Sequence, residues 1–177
     1  MSYGMIELGN PVLTQVAHPV SDVFSPDTQA LINGMVATLK RMNGIGLAAP
    51  QVGVSQRLFI VAPEQILQPP YDRLDTGLVV INPEIKVIGH KVTREWEGCL
   101  SIPGIRGHVP RNCNITIVYT NVHGERVSAD YTGFTARIFL HEFDHLNGIV
   151  FLDHLDNLSQ ELITDRVYEQ RMDEEQL

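Results

Sequence analysis

Two histidines four residues apart form the pattern in this sequence with the clearest capacity for chemistry. His141 and His145 would lie one turn apart on one face of a helix, so that both imidazoles could bind a single metal ion. Glu142 lies beside them, where it could accept a proton from a water activated by that metal. Burying these side chains is costly unless they are paired or bound to a ligand. The pattern therefore predicts a metal site.

A catalytic metal needs a third protein ligand and an open coordination position. Cys99, in segment 97–101, follows a glycine at the end of a strand-like stretch, where its thiolate could point at the helix. Glu161 and Glu169 are alternative carboxylate ligands, although both are typical of a solvated helix face. A closed structural zinc site would need Cys113 as well, and that residue fits a small buried thiol better.

A glycine-rich segment, residues 44–51, could let a peptide backbone approach closely. Gln51 would then place an amide donor at the reacting carbonyl. Gly44, Gly46 and Ala49 loosely satisfy a dinucleotide-binding fingerprint, but that fingerprint follows a strand, whereas this segment follows a predicted helix. A simple turn is the alternative interpretation.

Helices are predicted on both sides of these segments. The first covers 26–42, where Ser25 can cap it. The second covers 133–147 and is apolar nearly all round, which is typical of a buried core helix. A third is expected over 158–171.

The middle of the chain predicts β structure, because it contains short runs rich in β-branched residues. The predicted strands are 57–61, 78–81, 85–88, 115–119 and 126–131. A hairpin turn is expected at 121–124, and 65–76 is expected to be an exposed loop. Short strands followed by a buried helix indicate an α+β fold.

Composition narrows the class of function. A chain of 177 residues favours one domain that can bury its own core. Thirteen basic against 21 acidic residues give a net charge of −8, which argues against nucleic acid or an anionic membrane as the main partner. Two cysteines are too few for a disulfide scaffold. The first basic residue is Lys40, so we expect no targeting segment and a cytoplasmic location.

Together the three segments resemble the peptide deformylase family. The family pattern is G-x-G-x-A-A-P-Q, then E-G-C-L-S, then H-E-x-x-H, and the resemblance extends from about Pro11 to Phe151. It implies twisted antiparallel sheets around a central buried helix that carries the third motif, with a C-terminal helix. It also implies removal of the N-formyl group from the first methionine of nascent chains, with release of formate. We expect residues 1–177 to form one catalytic domain of this kind.

The resemblance also implies residue roles. The ligands of one divalent metal ion would be Cys99, His141 and His145. Fe(II) is the expected ion, and Zn(II), Ni(II) or Co(II) could replace it. Glu142 matches the catalytic acid and base, while Gln51 and the backbone N–H of Leu100 match the groups that hold the carbonyl oxygen. Gly46 and Arg106 fall where the family contacts the substrate backbone.

The expected partners are N-formylmethionyl nascent peptides. An apolar pocket should receive the unbranched methionine side chain, with Ile45 on one wall and Ile138 on another. Two other functions would use the same histidines. One is an endopeptidase with a downstream carboxylate ligand, and the other is a metal-stabilised module that binds peptides without turnover.

The sequence departs from the family at two places. Thr14 follows Leu13 where members often have arginine, which concerns packing rather than chemistry. Some members dock on the ribosome through a basic C-terminal helix, but residues 161–175 carry six acidic residues and two arginines. Because an acidic helix is a poor match for RNA, we expect at most a transient ribosome contact by another route. Membrane binding and specific DNA binding are not expected.

Overall fold

The fold is built on two antiparallel sheets, and a buried helix packs beside both of them. The computed structural model describes residues 2–65 and 77–175. Within them the strands are β1 (Gly46–Ala48), β2 (Leu58–Val61), β3 (Leu78–Val87), β4 (Val92–Cys99), β5 (Ile102–Asn112), β6 (Asn114–Thr120), β7 (Arg126–Thr132) and β8 (Leu162–Thr164). The helices are α1 (Pro26–Met42), α2 (Gly133–Leu146), α3 (Leu158–Glu161) and α4 (Asp165–Glu175). The expected α+β class is confirmed.

The larger sheet is covered on both faces. Its strand order is β1-β2-β3-β6-β7, and all its pairings are antiparallel. Phe59 and Val80 lie in the core that contains Phe139 of α2, whereas Leu58 and Val79 lie in the core that contains Met35 of α1. Because each face of β2 and of the first part of β3 meets a different helix, residues 58–61 and 78–81 are continuous apolar runs rather than alternating ones.

Strand β3 joins two segments that the sequence predicted as separate strands. The predicted 78–81 and 85–88 are one element with a register shift between Ile81 and Glu84. Asn82 has a φ of 50° at this shift. Its side chain accepts a hydrogen bond from the N–H of Val20 and donates one to the carbonyl of Val20. The bulge therefore ties the sheet to the N-terminal segment while the strand continues past it.

Helix α2 is central and buried, as predicted, but its buried face is not entirely apolar. Ala136, Phe139 and Leu146 are fully buried, and the Phe139 ring stacks on Tyr131 with 4.4 Å between centroids. Arg137 is buried as well. The predicted end at residue 147 is one residue late, because the helix ends at Leu146.

Sequence patterns predicted only part of the smaller sheet, the strand-like stretch that ends at Cys99. Strands β4 and β5 pair over almost their whole length, and β8 adds to β5. Charged residues and a glycine interrupt β4, and glycines, prolines and arginines interrupt β5, so the β-branched signal is weak there. The end of β4 and the turn that follows carry the predicted motif 97–101, so this hairpin positions Cys99.

The expected C-terminal helix over 158–171 is wrong as one continuous element. The chain forms the short α3, then β8, and only then α4. Leu162 and Ile163 pair with Gly107 and Arg106, and that pairing interrupts the helix. The hydroxyl of Thr164 then accepts a hydrogen bond from the N–H of Val167 at 3.3 Å, which suits the start of α4.

Two further sequence expectations concern the rest of the chain. Helix α1 has the predicted bounds, and Ser25 caps it by accepting a hydrogen bond from the N–H of Thr28. The loop expected at 65–76 lies outside the described residues except for Gln65.

Among the described helices, none combines the length and the hydropathy needed to cross a bilayer.

Gly148 offers a test of how α2 is joined to the N-terminal segment. Its φ is +72°, and a Cβ there would lie 2.6 Å from the carbonyl carbon of Thr14. We expect Gly148→Ala to lower the free energy of unfolding by ~3 kcal/mol or more, because backbone strain and overlap combine. Gly89→Ala is the matched control, since Gly89 has a φ of +73° with open space around it, and it should cost about 1 kcal/mol. Urea unfolding measures both, and equal losses would contradict the close contact.

Candidate active site

Three side chains with metal-binding atoms converge between α2 and the end of β4. The ligand atoms of Cys99, His141 and His145 all lie within 4.8 Å of one another, as the sequence predicted. The sulfur of Cys99 is 3.3 Å from Nε2 of His145, and the two imidazole centroids are 5.1 Å apart. Among the described histidine, cysteine, aspartate and glutamate side chains, these three form the group whose ligand atoms lie close enough together to hold a metal ion. A sulfur with two imidazoles is a donor set that suits zinc or iron.

The alternative ligands do not reach this cluster. Glu161 forms an ion pair with Arg94, and Glu169 is exposed on α4. Cys113 is buried, and its sulfur lies 3.6 Å from the hydroxyl of Thr93. The third ligand expected for an endopeptidase is therefore absent from the cluster, and the closed site with a second thiol is not formed.

A buried carboxylate holds one of the two histidines in place. Oε2 of Glu97 lies 2.9 Å from Nδ1 of His141. Because that nitrogen is occupied, Nε2 is the atom that His141 can offer to a metal. Glu97 also accepts hydrogen bonds from Arg111 at 2.6 and 2.9 Å and from Arg137 at 2.7 Å. Arg111 reaches on to Asp144 at 2.7 Å, which ties the next turn of α2 to the same network.

This network was missed by the sequence reasoning, which placed Glu97 only within a motif. One signal was available, because Arg137 interrupts the apolar face of a helix that is otherwise core. A buried guanidinium requires an anionic partner. The sequence could not say which carboxylate supplies it, since Glu97 is 40 residues away from Arg137.

The electrostatics of the cluster favour positive charge at His141. Burial alone would raise the pKa of Glu97, but hydrogen bonds from His141 and Arg111 hold it far below its ordinary value. Burial would lower the pKa of His141, but its hydrogen bonds to Cys99 and Glu97 raise it well above the ordinary value. Burial and the neighbouring His141 lower the pKa of His145, so that this ring is neutral. A divalent cation would occupy a place where the protein already stabilises positive charge.

Glu142 lies beside the cluster but outside the set of ligand atoms. Burial raises its pKa to about 7, and the nearby charges of His141 and Arg111 oppose that rise. Its Oε2 atom is buried and makes no hydrogen bond with the described residues. A Cβ on Gly46 would lie 2.8 Å from the carboxyl carbon of Glu142, so the absence of a side chain at Gly46 makes room for this carboxylate.

Gln51 has its amide oriented by the backbone. Its Oε1 accepts a hydrogen bond from the N–H of Ala48 at 2.8 Å, which leaves the NH₂ group facing the cluster. Nε2 lies 3.4 Å from the sulfur of Cys99 and 3.2 Å from the hydroxyl of Ser101. A donor held in this way can stabilise negative charge on a nearby oxygen.

A cavity of about 480 Å³ opens onto the cluster and brings the remaining predicted residues together. The predicted substrate-contacting and carbonyl-holding residues that line it are Ile45, Gly46, Gln51, Leu100, Arg106 and Ile138. Gly46 lies on β1, which forms the edge of the larger sheet. The carbonyl of Ile45 accepts a hydrogen bond from Ala62 beside β2, so by alternation the N–H and C=O of Gly46 point away from β2. This edge could pair with an extended peptide.

Known proteins resemble this chain over nearly its whole length. The family model described as polypeptide deformylase matches residues 3–161. Peptide deformylase 2 of a Nostoc species is 42% identical over 168 residues, which are 94% of this chain and 92% of that protein. The peptide deformylase of Carboxydothermus hydrogenoformans is 39% identical and covers 88% of this chain and 95% of its own length.

Solved structures agree with the sequence comparison. The crystal structure of peptide deformylase from Thermotoga maritima has a TM-score of 0.79 at 37% identity and covers 89% of this chain and 99% of that one. A class I type b peptide deformylase from Acinetobacter baumannii, solved with Met-Ala-Ser bound, has a TM-score of 0.78 at 37% identity and covers 88% and 99%. The chain therefore belongs to the polypeptide deformylase family, metal-dependent hydrolases that remove the formyl group from newly synthesised polypeptides.

Proposed function

We propose that the cavity beside Cys99, His141 and His145 is where this chain deformylates N-formylmethionyl peptides and releases formate. The observation that carries the proposal is the pairing of a metal-binding cluster with a buried, unligated carboxylate, Glu142, whose Oε2 has no partner among the described residues. The structure of the Acinetobacter relative with Met-Ala-Ser bound supports a peptide as the molecule that enters here.

Cys99, His141 and His145 would hold the metal ion. When bound, a divalent cation supplies Lewis acidity, which lowers the pKa of water and polarises a carbonyl group. One thiolate and two neutral imidazoles leave a net positive charge at the site, which preserves that acidity better than several thiolates would. We propose Fe(II) as the resident ion, following the family resemblance, with Zn(II), Ni(II) or Co(II) as substitutes.

Glu142 is proposed as the acid and base of the reaction. With a pKa raised to about 7 by burial, its carboxylate can take a proton from water near neutral pH and return it to the departing amine. It can do both because it is not needed as a metal ligand. Hydroxide formed beside it would attack the formyl carbon, and the C–N bond would break as the amine receives the proton.

Two donors are proposed to hold the formyl oxygen as negative charge develops on it. The first is the side-chain NH₂ of Gln51, whose direction is fixed by the hydrogen bond from Ala48. The second is the backbone N–H of Leu100, in the turn that follows Cys99 and lines the cavity. Donors positioned before the reaction need no reorganisation as the charge forms.

The peptide itself is proposed to lie along β1. Gly46 would exchange backbone hydrogen bonds with it, because its N–H and C=O point away from β2. Ile45 and Ile138 would contact the methionine side chain, and Arg106 would contact the peptide backbone further out. All four residues line the one cavity.

Three broader expectations belong to the same proposal. Residues 1–177 would form a single catalytic domain, and the enzyme would work in the cytoplasm, where nascent chains emerge. Contact with the ribosome would be transient and would not use α4, whose described residues include Asp165, Glu169, Asp173 and Glu174.

The proposed role of Glu142 separates metal binding from chemistry. Glu142→Gln should retain one metal ion per chain, because the three ligands are intact, while kcat falls by at least ~10²-fold and KM changes little. His145→Ala should lose metal and activity together, because two ligands hold a divalent ion weakly. Metal analysis and formate release from formyl-Met-Ala-Ser, measured on the same preparations, check both. A metal-free Glu142→Gln variant would make Glu142 a ligand, and normal turnover would place the base elsewhere.

The proposed role of Glu97 is to orient His141. Glu97→Gln should weaken metal affinity by ~10- to 100-fold, because the ring loses its carboxylate partner. It should also destabilise the fold by ~3–5 kcal/mol, because Arg111 and Arg137 lose a buried counter-ion. Chelator competition and urea unfolding measure the two effects. Glu95→Gln is the matched control, since Glu95 is 47% exposed and lies 3.4 Å from Arg137, and it should change neither quantity appreciably. Unchanged metal affinity in Glu97→Gln would refute the role.

The identity of the metal can be tested through its chemistry with oxygen. Fe(II) beside a thiolate ligand and an open coordination position is vulnerable, because both the iron and Cys99 can be oxidised. We expect the iron form prepared without oxygen to lose activity in air, and the nickel and zinc forms to keep theirs. Formate release and metal content followed over time in air provide the measurement. An iron form that stays active in air would refute the expected vulnerability.

A further inference from the structure

The outer wall of the cavity comes from the C-terminal end of the chain. Asp165 and Tyr168 line the cavity together with residues of the β4–β5 hairpin. Both lie on α4, beyond residue 161, where the match to the family model ends. The one site residue that the sequence analysis considered in this region was Glu169, as an alternative metal ligand, and it does not reach the cluster.

Both side chains act on one residue, Arg106. Nε of Arg106 forms an ion pair with Oδ1 of Asp165 at 2.9 Å, and its guanidinium carbon lies 4.3 Å from the centroid of the Tyr168 ring. The backbone enforces this approach, because Arg106 pairs with Ile163 of β8 immediately before α4 begins. Such contacts restrict a long side chain that would otherwise sample many rotamers.

The ion pair with Asp165 involves Nε of Arg106 and leaves the terminal nitrogens of the guanidinium available to bind another group. Asp165 is paired with Nε, whereas NH1 lies over Gly98, where a Cβ would be 3.3 Å away. Gly98 precedes Cys99, the proposed metal ligand, so NH1 lies on the cavity wall beside the residue next to that ligand. A guanidinium has five N–H donors, and those not facing Asp165 can donate to a peptide carbonyl.

A second contact fixes the same helix to the same wall. The guanidinium of Arg171 lies 5.6 Å from the Trp96 ring, and Trp96 both lines the cavity and stacks on His108. Helix α4 is therefore attached to the hairpin at Arg106 and again at Trp96. The attachment makes α4 part of the cleft rather than a separate appendage.

We propose that Asp165 and Tyr168 are positioning residues that hold Arg106 ready to bind the peptide backbone beyond the first methionine. The inference rests on the proposed function, in which Arg106 contacts substrate. An arginine already restrained loses less conformational entropy when the peptide binds. The C-terminal segment β8–α4 thereby sets the affinity for peptides that extend past methionine.

The test compares a long and a short substrate on the metal-loaded full chain. Asp165→Asn should raise KM for formyl-Met-Ala-Ser by ~3- to 10-fold with little change in kcat, and should affect formyl-methionine less. Tyr168→Leu should act in the same direction, while Tyr168→Phe retains the ring and should behave as wild type. Asp173→Asn removes the same charge from an exposed position of α4 outside the cavity lining, and both substrates should be unaffected.

Two measurements tie the effect to Arg106. In an Arg106→Ala background, Asp165→Asn should cause no further rise in KM, since a positioning residue acts only through the residue that it holds. Calorimetric binding of Met-Ala-Ser should weaken by a similar factor in Asp165→Asn. Independent effects of the two substitutions, equal effects on both substrates, or unchanged Met-Ala-Ser affinity would each overturn the inference. If wild type releases no formate, the proposed function fails, and calorimetry still decides the role of Asp165.

Discussion

A single buried carboxylate, that of Glu97, joins the two halves of the active site. It lies on β4 and is bonded to Arg111 on β5 and to Arg137 and His141 on α2. A carboxylate this deeply buried is strongly disfavoured alone, so its charge forces all these elements to meet. The smaller sheet is therefore docked on α2 through charged hydrogen bonds, rather than through apolar contacts alone.

This docking determines where the metal-binding atoms lie. Cys99 is two residues beyond Glu97 on the same strand, across the register shift between them, while His141 is held directly. Fixing Glu97 against α2 thus brings a sulfur from the hairpin to two imidazoles of the helix. The network therefore preorganises His141 and the strand that carries Cys99, whereas Nδ1 of His145 is buried with no hydrogen-bond partner among the described residues.

The chemistry of the site was more predictable from the sequence than the structure around it. The convergence of His141 and His145, the proposed ligands, follows from helical spacing, and Cys99 was predicted from a motif. The partners of Glu97 are 14 to 44 residues away, so only tertiary structure reveals them. The break at β8 was missed for a similar reason. Leu162 and Ile163 fit a helix locally, and only pairing with β5 makes them a strand.

Two buried glutamates near the same cluster illustrate how environment changes the pKa of a side chain. Glu97 accepts hydrogen bonds from two arginines and His141, and these keep its pKa far below the ordinary value, so it stays ionised and structural. Glu142 is buried without such donors, and its pKa rises to about 7, with the negative charge of Glu97 contributing to the rise. The ionised residue thus helps to make its neighbour a proton acceptor near neutral pH. Two residues of the same type are thus a buried scaffold and the proposed base, because hydrogen-bond donors from α2 and β5 surround Glu97 but not Glu142.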